Sequence, residues 1–218
     1  MPYGDATIIV PVRDEPAVGA VVGDIFRKVP GCKIIVIYKG SVGGLPKHNG
    51  LKVIEQRDSG KGRAMVEASR HVTTPIMCFI DGDGTYDTKD LTKVIEQVRH
   101  GADLALGARL RLGKGAMTAK IKFGNGVLTI LANLFFGLRL KDSQTGLRAI
   151  KKQAFDKLHL QEIHFGIEEE MNIMSKKGHL VIKEVPISYY ARKGTVAQHS
   201  KNVGGLRLLG VIFKLLFR

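Results

Sequence analysis

The first 110 residues of the chain alternate between short apolar runs and segments with the spacing of amphipathic helices. The apolar runs, rich in β-branched residues, predict strands at 7–12, 33–38, 52–54, 76–80 and 103–106. Helices are predicted between them at 16–28, 60–71 and 88–99. This alternation is typical of an α/β, Rossmann-like protein whose mostly parallel sheet is covered by helices on both faces. Sheets of that kind place their sites at the carboxyl ends of the strands.

The pattern changes beyond residue 109. Residues 113–122 are predicted to form a loop, and residues 123–140 form an apolar segment of helical length that glycines interrupt. Further helices are predicted at 155–158, 167–177 and 203–218, and a strand pair bent at Pro186 is predicted over 180–190. A chain of 218 residues suffices for one sizeable core. We therefore expect one domain over residues 1–202, followed by an amphipathic basic helix over residues 203–218.

The net charge of +14 is concentrated in two segments. Residues 109–152 hold ten Lys or Arg against one acid, residues 191–218 hold six and no acid, and the rest of the chain is nearly neutral. A local basic excess indicates an anionic partner, such as a phosphate-bearing substrate or an anionic membrane surface. We expect no nucleic-acid partner, because the basic segments lack the interleaved aromatic residues that stack on bases.

The cysteines and the hydropathy favour the cytoplasm. Cys32 and Cys78 lie far apart, without the spacing of a zinc site or a disulfide framework, and are expected to be buried thiols of a reducing compartment. The N-terminus lacks a basic segment followed by an apolar run, so no secretory signal is expected. No apolar stretch reaches the ~20 residues that cross a bilayer.

The strongest local feature is the acidic turn Asp81-Gly82-Asp83, which follows an apolar run. Two carboxylates separated by one glycine are suited to binding one hard divalent cation. Such a cation would bridge a diphosphate and offset the charge that develops on it as a leaving group. The alternative is an ordinary acidic β-turn, since Asp and Gly favour turns for local reasons.

Groups suited to a nucleotide or an anion follow two other predicted strands. Pro11, Arg13 and Glu15 lie at the end of the first strand, although such residues are also common in plain loops. Lys61 lies between two glycines at a predicted helix start, where backbone N–H groups and the helix dipole favour an anion. The spacing is not that of a P-loop, and an ordinary glycine-containing helix start is the alternative.

The order of these motifs resembles family 2 glycosyltransferases of the polyprenyl-phosphate hexose synthase type. The resemblance extends from Ile8 to Tyr190 and is greatest to dolichyl-phosphate mannose synthases and archaeal dolichyl-phosphate hexosyltransferases. In that family the Asp-x-x-x-Gly-Leu-Arg-Ala element distinguishes lipid-phosphate acceptors from other branches. The motifs that carry the resemblance are, in chain order, Val10-Pro11-x-x-x-Glu15, Gly60-Lys61-Gly62-x-Ala64, Asp81-Gly82-Asp83-Gly84-Thr85-Tyr86, Asp142-x-x-x-Gly146-Leu147-Arg148-Ala149 and Glu184-Val185-Pro186-Ile187-x-Tyr189.

The resemblance implies an A-type glycosyltransferase fold, with residues 1–202 as the catalytic domain, and a GDP- or UDP-hexose donor. It also implies Mg²⁺ or Mn²⁺ bound by Asp81 and Asp83. The residues expected on the nucleotide-sugar are Pro11, Arg13, Glu15, Lys61, Asp81, Gly82 and Asp83. The residues expected on the acceptor phosphate are Arg109, Arg111, Arg148, Arg192 and Lys201. The residues expected to take part in catalysis are Asp83, Asp142, Arg148 and Glu168.

The chain departs from that family at two positions. Relatives commonly end the second strand with paired aspartates that contact the base and ribose, whereas this chain has Tyr38-Lys39. Relatives also often carry Gln two residues after the second metal aspartate, whereas this chain has Thr85. These departures leave the base and the third metal ligand open. His199 is one candidate for that ligand, and a solvated loop histidine is the alternative.

A phosphate acceptor determines the expected mechanism. A phosphate monoester, with a second pKa of ~6, is largely ionised at neutral pH and needs no protein base for attack. Catalysis would then rest on positioning and on stabilising the departing diphosphate, with inversion at the anomeric carbon. Glu168 and Glu170 are candidates to orient groups or to act as the base for a hydroxyl acceptor. For Glu169 we favour the alternative that acids suit the first turn of a helix.

Three functions stay open at this point. The first is hexose transfer to a polyprenyl phosphate by an enzyme bound peripherally to the cytoplasmic face of a membrane. The second is transfer to a hydroxyl of a soluble or polysaccharide acceptor, and the third is a non-catalytic basic module that binds membrane or nucleic acid and has a decayed donor site. Arg207, Lys214 and Arg218 share one stripe of the apolar terminal helix, which either lies on anionic lipid or docks on protein. The apolar segment 123–140 presents the same alternative.

Overall fold

The computed structural model describes residues 2–192 and 204–218, which form one seven-stranded sheet with helices on both faces. The strands are β1 (Ala6–Arg13), β2 (Lys33–Lys39), β3 (Leu51–Glu55), β4 (Ile76–Phe79), β5 (Leu104–Leu112), β6 (Arg148–Lys151) and β7 (Ile182–Tyr189). The helices are α1 (Val18–Lys28), α2 (Lys61–Ser69), α3 (Asp90–Arg99), α4 (Ala119–Phe136), α5 (Lys152–Lys157), α6 (Ile167–Lys177) and α7 (Gly204–Leu216).

The sheet has the order β3-β2-β1-β4-β6-β5-β7. Strands β1, β2, β3 and β4 pair in parallel, as do β5 and β7, whereas β6 runs antiparallel to both β4 and β5. The buried residues of β1 and β2 are mostly Ile and Val, and those of β4 are Ile, Met, Cys and Phe, as expected for apolar strands covered on both faces. The predicted mostly parallel α/β sheet is therefore confirmed.

Each face of the sheet packs against its helices through one apolar core. Helices α1 and α3 cover one face, and α2, α4, α5, α6 and α7 cover the other. In α1 the buried residues Val18, Val21, Val22 and Ile25 follow the spacing of one helical face, which explains why this segment folds as a helix against the sheet.

The second half of the chain differs from the sequence-based expectation in two ways. Strand β6 was not predicted, because its four residues carry no strand-length apolar run. The predicted strand pair is wrong, because β7 continues through Pro186 as one strand, although its register against β5 shifts just after that residue. Strand β7 lies at the edge of the sheet, where a residue without an N–H leaves no ladder hydrogen bond unmade.

The terminal helix α7 docks on the protein. Val211, Ile212 and Leu215 are buried against α4 and α6. Two of its three basic residues pair with acids of the protein, since Arg207 pairs with Glu162 on the loop before α6 and Arg218 pairs with Glu170 on α6, whereas Lys214 is exposed. In residues 2–192 and 204–218 we find no helix with both the length and the apolarity needed to span a membrane.

The start of α2 packs backbone against backbone on the segment before α6. A Cβ atom at Gly60 would come within 2.1 Å of the Ile163 carbonyl oxygen, and one at Gly62 within 2.0 Å of the Glu162 carbonyl oxygen. Gly60 also has a φ of 128°, which L side chains rarely adopt. Glycine at both positions lets two elements that are distant in sequence approach closely enough for their side chains to meet.

Gly62→Ala is expected to destabilise the fold by about 1–3 kcal/mol, because a backbone carbonyl cannot move aside for the new methyl group. The matched control is Gly23→Ala inside α1, where the nearest atom is the flexible end of Arg27 at 3.9 Å. That control should be neutral or slightly stabilising. Thermal unfolding of both variants tests the packing, and equal melting temperatures would contradict it.

Candidate functional site

The acidic turn Asp81-Gly82-Asp83 leaves the carboxyl end of β4 and lies directly on β1. A Cβ atom at Gly82 would come within 2.3 Å of Val12 Cγ1 and 3.1 Å of Val10 Cγ1. Glycine is therefore needed between the two carboxylates for this packing. Because β1 and β4 are parallel neighbours, the residues that follow them meet at one edge of the sheet.

Lys61 lies between two carboxylates that come from different elements. Its Nζ is 2.5 Å from Asp81 Oδ1 and 2.6 Å from Glu168 Oε1. Burial alone would lower the pKa of Lys61, but the charges of Asp81 and Glu168 and their hydrogen bonds outweigh burial and raise the pKa above its usual value. Lys61 therefore stays protonated and joins the starts of α2 and α6 to the acidic turn.

Asp83 is oriented by Thr85. Its Oδ1 accepts hydrogen bonds from the backbone N–H of Thr85 at 3.1 Å and from the Thr85 hydroxyl at 2.6 Å. Burial and the neighbouring charge of Asp81 raise the pKa of Asp83 above its ordinary value. Thr85 is the residue that stands in place of the relatives' Gln, and here its hydroxyl orients the Asp83 carboxylate. We call the cluster to which this carboxylate belongs the centre; it consists of Glu15, Lys61, Asp81, Asp83 and Glu168.

Arg192 contacts two acids of the centre. Glu15 is only 5% exposed, and its Oε1 accepts a hydrogen bond from the Ala17 backbone N–H at 3.1 Å. Its Oε2 pairs with Arg192, whose Nη1 also lies 3.9 Å from Asp83 Oδ2. We predicted Arg192 as a ligand of the acceptor phosphate, but the structure places its guanidinium between acids on the predicted nucleotide side.

The donor set of the acidic turn suits a hard divalent cation. Carboxylate oxygens are the ligands that Mg²⁺ and Mn²⁺ prefer. Burial is the larger cause of the raised pKa of Asp83, and the second is repulsion from Asp81, which a cation would relieve. The four acids Asp81, Asp83, Glu15 and Glu168 face two cations, Lys61 and Arg192, which leaves two negative charges. Within the described ranges, no group of three His, Cys, Asp or Glu is arranged to hold a metal.

The ends of β1 and β2 are linked by Asp14. Its Oδ1 accepts hydrogen bonds from the backbone N–H of Ser41 at 2.9 Å and from the Ser41 hydroxyl at 3.2 Å. The Tyr38-Lys39 pair differs from the relatives' aspartates as noted, and the Lys39 ammonium donates to two backbone carbonyls just after β3. Pro11 is half-buried in β1, and Arg13 is exposed at its end. Asp14 therefore supplies a carboxylate at the end of β2, which sequence analysis did not single out.

The loop that contains the Asp-x-x-x-Gly-Leu-Arg-Ala element lies against the acidic turn. A Cβ atom at Gly146 would be 2.6 Å from Asp81 Oδ2, so the loop backbone is in contact with that carboxylate. The Gly146 N–H donates a 2.7 Å hydrogen bond to the Tyr86 hydroxyl. Tyr86 was quoted in the acidic motif without a role, and it is buried here with its ring edge-on to Tyr189.

Arg109 and Asp142 form a buried ion pair beside this loop. Arg109 Nε and Nη2 donate to the two Asp142 carboxylate oxygens at 2.7 and 2.8 Å. The guanidinium also lies over the Tyr189 ring, 5.2 Å from its centroid. Burial would lower the pKa of Arg109, but the hydrogen bonds and charge of Asp142 raise it. Arg109 therefore binds Asp142 through Nε and Nη2, and its third nitrogen, Nη1, does not bind Asp142.

Arg148 is a structural residue rather than a ligand of the acceptor. Its side chain has no exposed surface, and the guanidinium donates to the backbone carbonyls of Thr145 and Glu168 and to Asn172 Oδ1. The prediction that Arg148 contacts the acceptor phosphate is therefore corrected. It fastens the Gly146 loop to the start of α6, which carries Glu168.

Arg111, another predicted acceptor ligand, does not join the centre. Arg111 lines a separate surface groove of about 450 Å³, together with Lys93 on α3 and Pro186 on β7. The strand that carries Arg111 continues past the centre, so a basic residue there is close in sequence but not in space. The predictions for Lys201 and His199 fall outside the described residues.

Three consecutive acids at the start of α6 are buried with different partners. Glu168 contacts Lys61, Glu169 accepts a hydrogen bond from the Gln144 side chain, and the Glu170 carboxylate accepts the backbone N–H groups of residues 161 and 162. Burial raises the pKa of Glu169 to about 7, against hydrogen bonds that lower it. The preference of helix starts for acids does not by itself account for Glu169, because that side chain is fully buried and connects α6 to Gln144 of the Gly146 loop.

Comparisons with known proteins agree with this geometry. The family model "Glycosyl transferase family 2" matches residues 7–158. Glycosyltransferase AglJ of Haloferax volcanii is 33% identical over 224 residues, which cover 100% of this chain and 73% of that protein. A dolichyl-phosphate hexose transferase of the same organism is 30% identical over 192 residues, covering 87% and 84%.

The fold also matches a solved enzyme. The crystal structure of glucosyl-3-phosphoglycerate synthase from Mycobacterium tuberculosis, in complex with Mn²⁺, UDP-glucose and phosphoglyceric acid, superposes with a TM-score of 0.74. The sequences are 15% identical, and the match covers 97% of this chain and 79% of that one. The A-type glycosyltransferase fold is therefore confirmed. Since the family model spans more than half of the chain and includes the acidic turn and the Gly146 loop, the protein belongs to glycosyl transferase family 2.

Proposed function

We propose that this glycosyltransferase moves a hexose, mannose or glucose, from a GDP- or UDP-hexose to a polyprenyl (dolichyl) phosphate, with inversion at the anomeric carbon. The observation that carries the proposal is the contact between Gly146 and the Asp81 carboxylate. It brings the element typical of lipid-phosphate acceptors against the carboxylates suited to a diphosphate-bound cation. The similarity to a protein named dolichyl-phosphate hexose transferase supports the same acceptor.

In this proposal, Asp81 and Asp83 hold Mg²⁺ or Mn²⁺. When bound, the cation neutralises charge on the diphosphate and helps it leave. Asp83 offers a carboxylate that Thr85 already orients. Lys61 holds Asp81 in place through one oxygen, Oδ1.

The nucleotide is proposed to bind along the ends of β1 and β2, near Pro11, Arg13, Glu15 and Asp14. The double negative charge of the centre attracts a cation, whereas a diphosphate needs positive charge. Arg192 is placed to supply it, because its guanidinium lies between Glu15 and Asp83. Its contacts with those acids keep it at the site before the donor binds.

The acceptor phosphate is proposed to meet Arg109. Asp142 fixes the guanidinium plane through two hydrogen bonds, which orients Nη1 without further loss of side-chain freedom. The acceptor is already an anion at neutral pH, so no side chain needs to take its proton. Glu168 is only 5% exposed and is paired with Lys61, which suits positioning better than proton transfer.

Transfer to the phosphate, and not to the matching alcohol, is the expected result of an assay with radiolabelled GDP- and UDP-hexoses. A short polyprenyl phosphate should be glycosylated with at least one donor, and EDTA should abolish the reaction. A polyprenol of equal length is the control, because it lacks the ionised oxygen. Transfer to the polyprenol at a similar rate would contradict the proposed acceptor.

Asp83→Asn should remove metal-dependent nucleotide binding and lower transfer by about 100-fold or more, because one of two carboxylate ligands of the cation is lost. Isothermal calorimetry with GDP and UDP, with and without Mn²⁺, measures the binding. The control is Asp87→Asn, since Asp87 follows the same turn but pairs with Lys28 and Lys89. Manganese-dependent binding that survives in Asp83→Asn would rule out this cation site.

Glu168→Gln separates a phosphate acceptor from a hydroxyl acceptor. Gln keeps an oxygen for Lys61 but accepts no proton, so transfer to a phosphate should fall by less than about tenfold. Loss of a true general base costs about 10²–10⁴-fold. Steady-state kcat with polyprenyl phosphate measures the difference, and a loss in that larger range would favour the hydroxyl-acceptor alternative.

A further inference from the structure

Helix α4 carries an exposed apolar stripe along its outer side. Phe123, Ile130 and Leu134 are 75%, 64% and 72% exposed, and their spacing of seven and four residues places them on one face. The opposite face of α4 carries the buried residues Leu128 and Ala132. The outer stripe is therefore additional to the face that holds the helix on the core.

Helix α7 continues this surface. Phe213 is 49% exposed and Phe217 is 92% exposed, four residues apart on the side away from the core. The Phe213 ring lies 5.9 Å from the ring of Phe135 on α4, centroid to centroid. We call the surface formed by Phe123, Ile130, Leu134, Phe135, Phe213 and Phe217 the apolar face. Monomeric proteins rarely expose so many large apolar side chains together unless the surface binds a partner.

The charge around the apolar face identifies the partner. Lys114, Lys120 and Lys122 lie before or in the first turns of α4, and Arg139 and Lys141 follow it. All five are exposed, and residues 109–141 contain no acid. A second copy of the chain docked on this face would bring like charges together. The headgroups of anionic lipids complement them, and the acyl region accepts the aromatic and aliphatic side chains.

We propose that the apolar face inserts into the interface of an anionic lipid bilayer. Arg207 and Arg218 of the basic stripe are not the contact, because they pair with Glu162 and Glu170. Of the two sequence-based alternatives for that stripe, lipid or protein, these two arginines follow the second. The lipid contacts come instead from Phe213 on α7, from Phe217 just after that helix and from the outer stripe of α4.

This orientation brings the membrane close to the acceptor loop. Thr129 on α4 is hydrogen-bonded to the Ser143 hydroxyl at 3.1 Å, and Asn133 bonds the backbone of Leu140. The inference rests on the proposed function in one respect, since a polyprenyl phosphate is delivered from a bilayer. An acceptor headgroup would then reach Asp142 and Arg109 along the loop that α4 supports.

Co-sedimentation with phosphatidylcholine vesicles containing phosphatidylglycerol tests the surface. Leu134→Asp combined with Phe217→Asp should lower the partition coefficient at least about tenfold, because two large apolar side chains no longer enter the lipid. The matched control is Val53→Asp combined with Val181→Asp, at exposed apolar positions on other parts of the molecule, and it should bind as the wild type does. Unchanged melting temperatures would show that both variants are folded.

Three results would overturn the proposal. One is vesicle binding by the Leu134/Phe217 variant equal to that of the wild type. Another is a loss of about fivefold on Arg207→Gln, which is the effect expected of an arginine at the lipid surface. The third is that the wild type is a dimer in the absence of lipid whereas the Leu134/Phe217 variant is a monomer. That result would make the apolar face a contact between copies of the chain.

Assays with a short polyprenyl phosphate in solution keep this inference distinct from the proposed function. The Leu134/Phe217 variant should retain transfer to that acceptor while losing vesicle binding. If the wild type binds vesicles through the apolar face but transfers no hexose to the soluble phosphate, the surface stands and the proposed function fails. If the wild type transfers hexose to the soluble phosphate but the two substitutions leave vesicle binding unchanged, the proposed lipid contact is wrong and the proposed function stands.

Discussion

The centre of the molecule depends on one buried cation, Lys61, held between Asp81 and Glu168. Two carboxylates that converge in a partly desolvated site repel each other, and removal of a buried partner from such an arrangement costs about 3–5 kcal/mol. Lys61 resolves that repulsion while leaving the second oxygen of Asp81 for another contact. Because the three residues belong to α2, the β4 exit and α6, the ionic contact also fixes how these elements sit relative to one another.

Glycines make that contact feasible. Gly60 and Gly62 allow α2 to approach the segment before α6, Gly82 lets the acidic turn lie on β1, and Gly146 brings the acceptor loop onto Asp81. Each position faces backbone, a branched side chain or a carboxylate at a distance that excludes a Cβ atom. Strand β6 pairs antiparallel with β4. The Gly146 loop, which precedes β6, therefore lies at the same edge of the sheet as the acidic turn, which follows β4. Arg148 holds the Gly146 loop against the start of α6 through its hydrogen bonds. This contact explains why the arginine of a motif typical of lipid-phosphate acceptors has no exposed surface here.

Most of the fold could be predicted because its strands carry local signals. The runs at β1, β2 and β4 are apolar and β-branched, and α1 and α3 have clear helical spacing. Strand β6 has no such signal, since four residues in a glycine-containing motif become a strand only when β4 and β5 accept them. Pro186 carried a local signal that tertiary structure overrode, because an edge strand tolerates proline. The acidic turn and Lys61 were found through motifs, whereas the roles of Thr85, Tyr86 and Asp14 depend on contacts that no local pattern encodes.

The net charge of each segment can be read from the sequence, but which of its basic side chains are already paired within the protein cannot. A basic stripe on a helix predicts an anionic partner only if its charges are free, and at α7 acids of α6 and its preceding loop pair with two of the three basic residues. Arg109 illustrates the same effect, because Asp142 already neutralises it before any ligand arrives. The basic side chains that stay exposed include those around α4, namely Lys114, Lys120, Lys122 and Arg139, and residues 109–141 contain no acid. An excess of charge therefore indicates a binding surface only after the internal pairs have been subtracted, and here the remainder surrounds the apolar face.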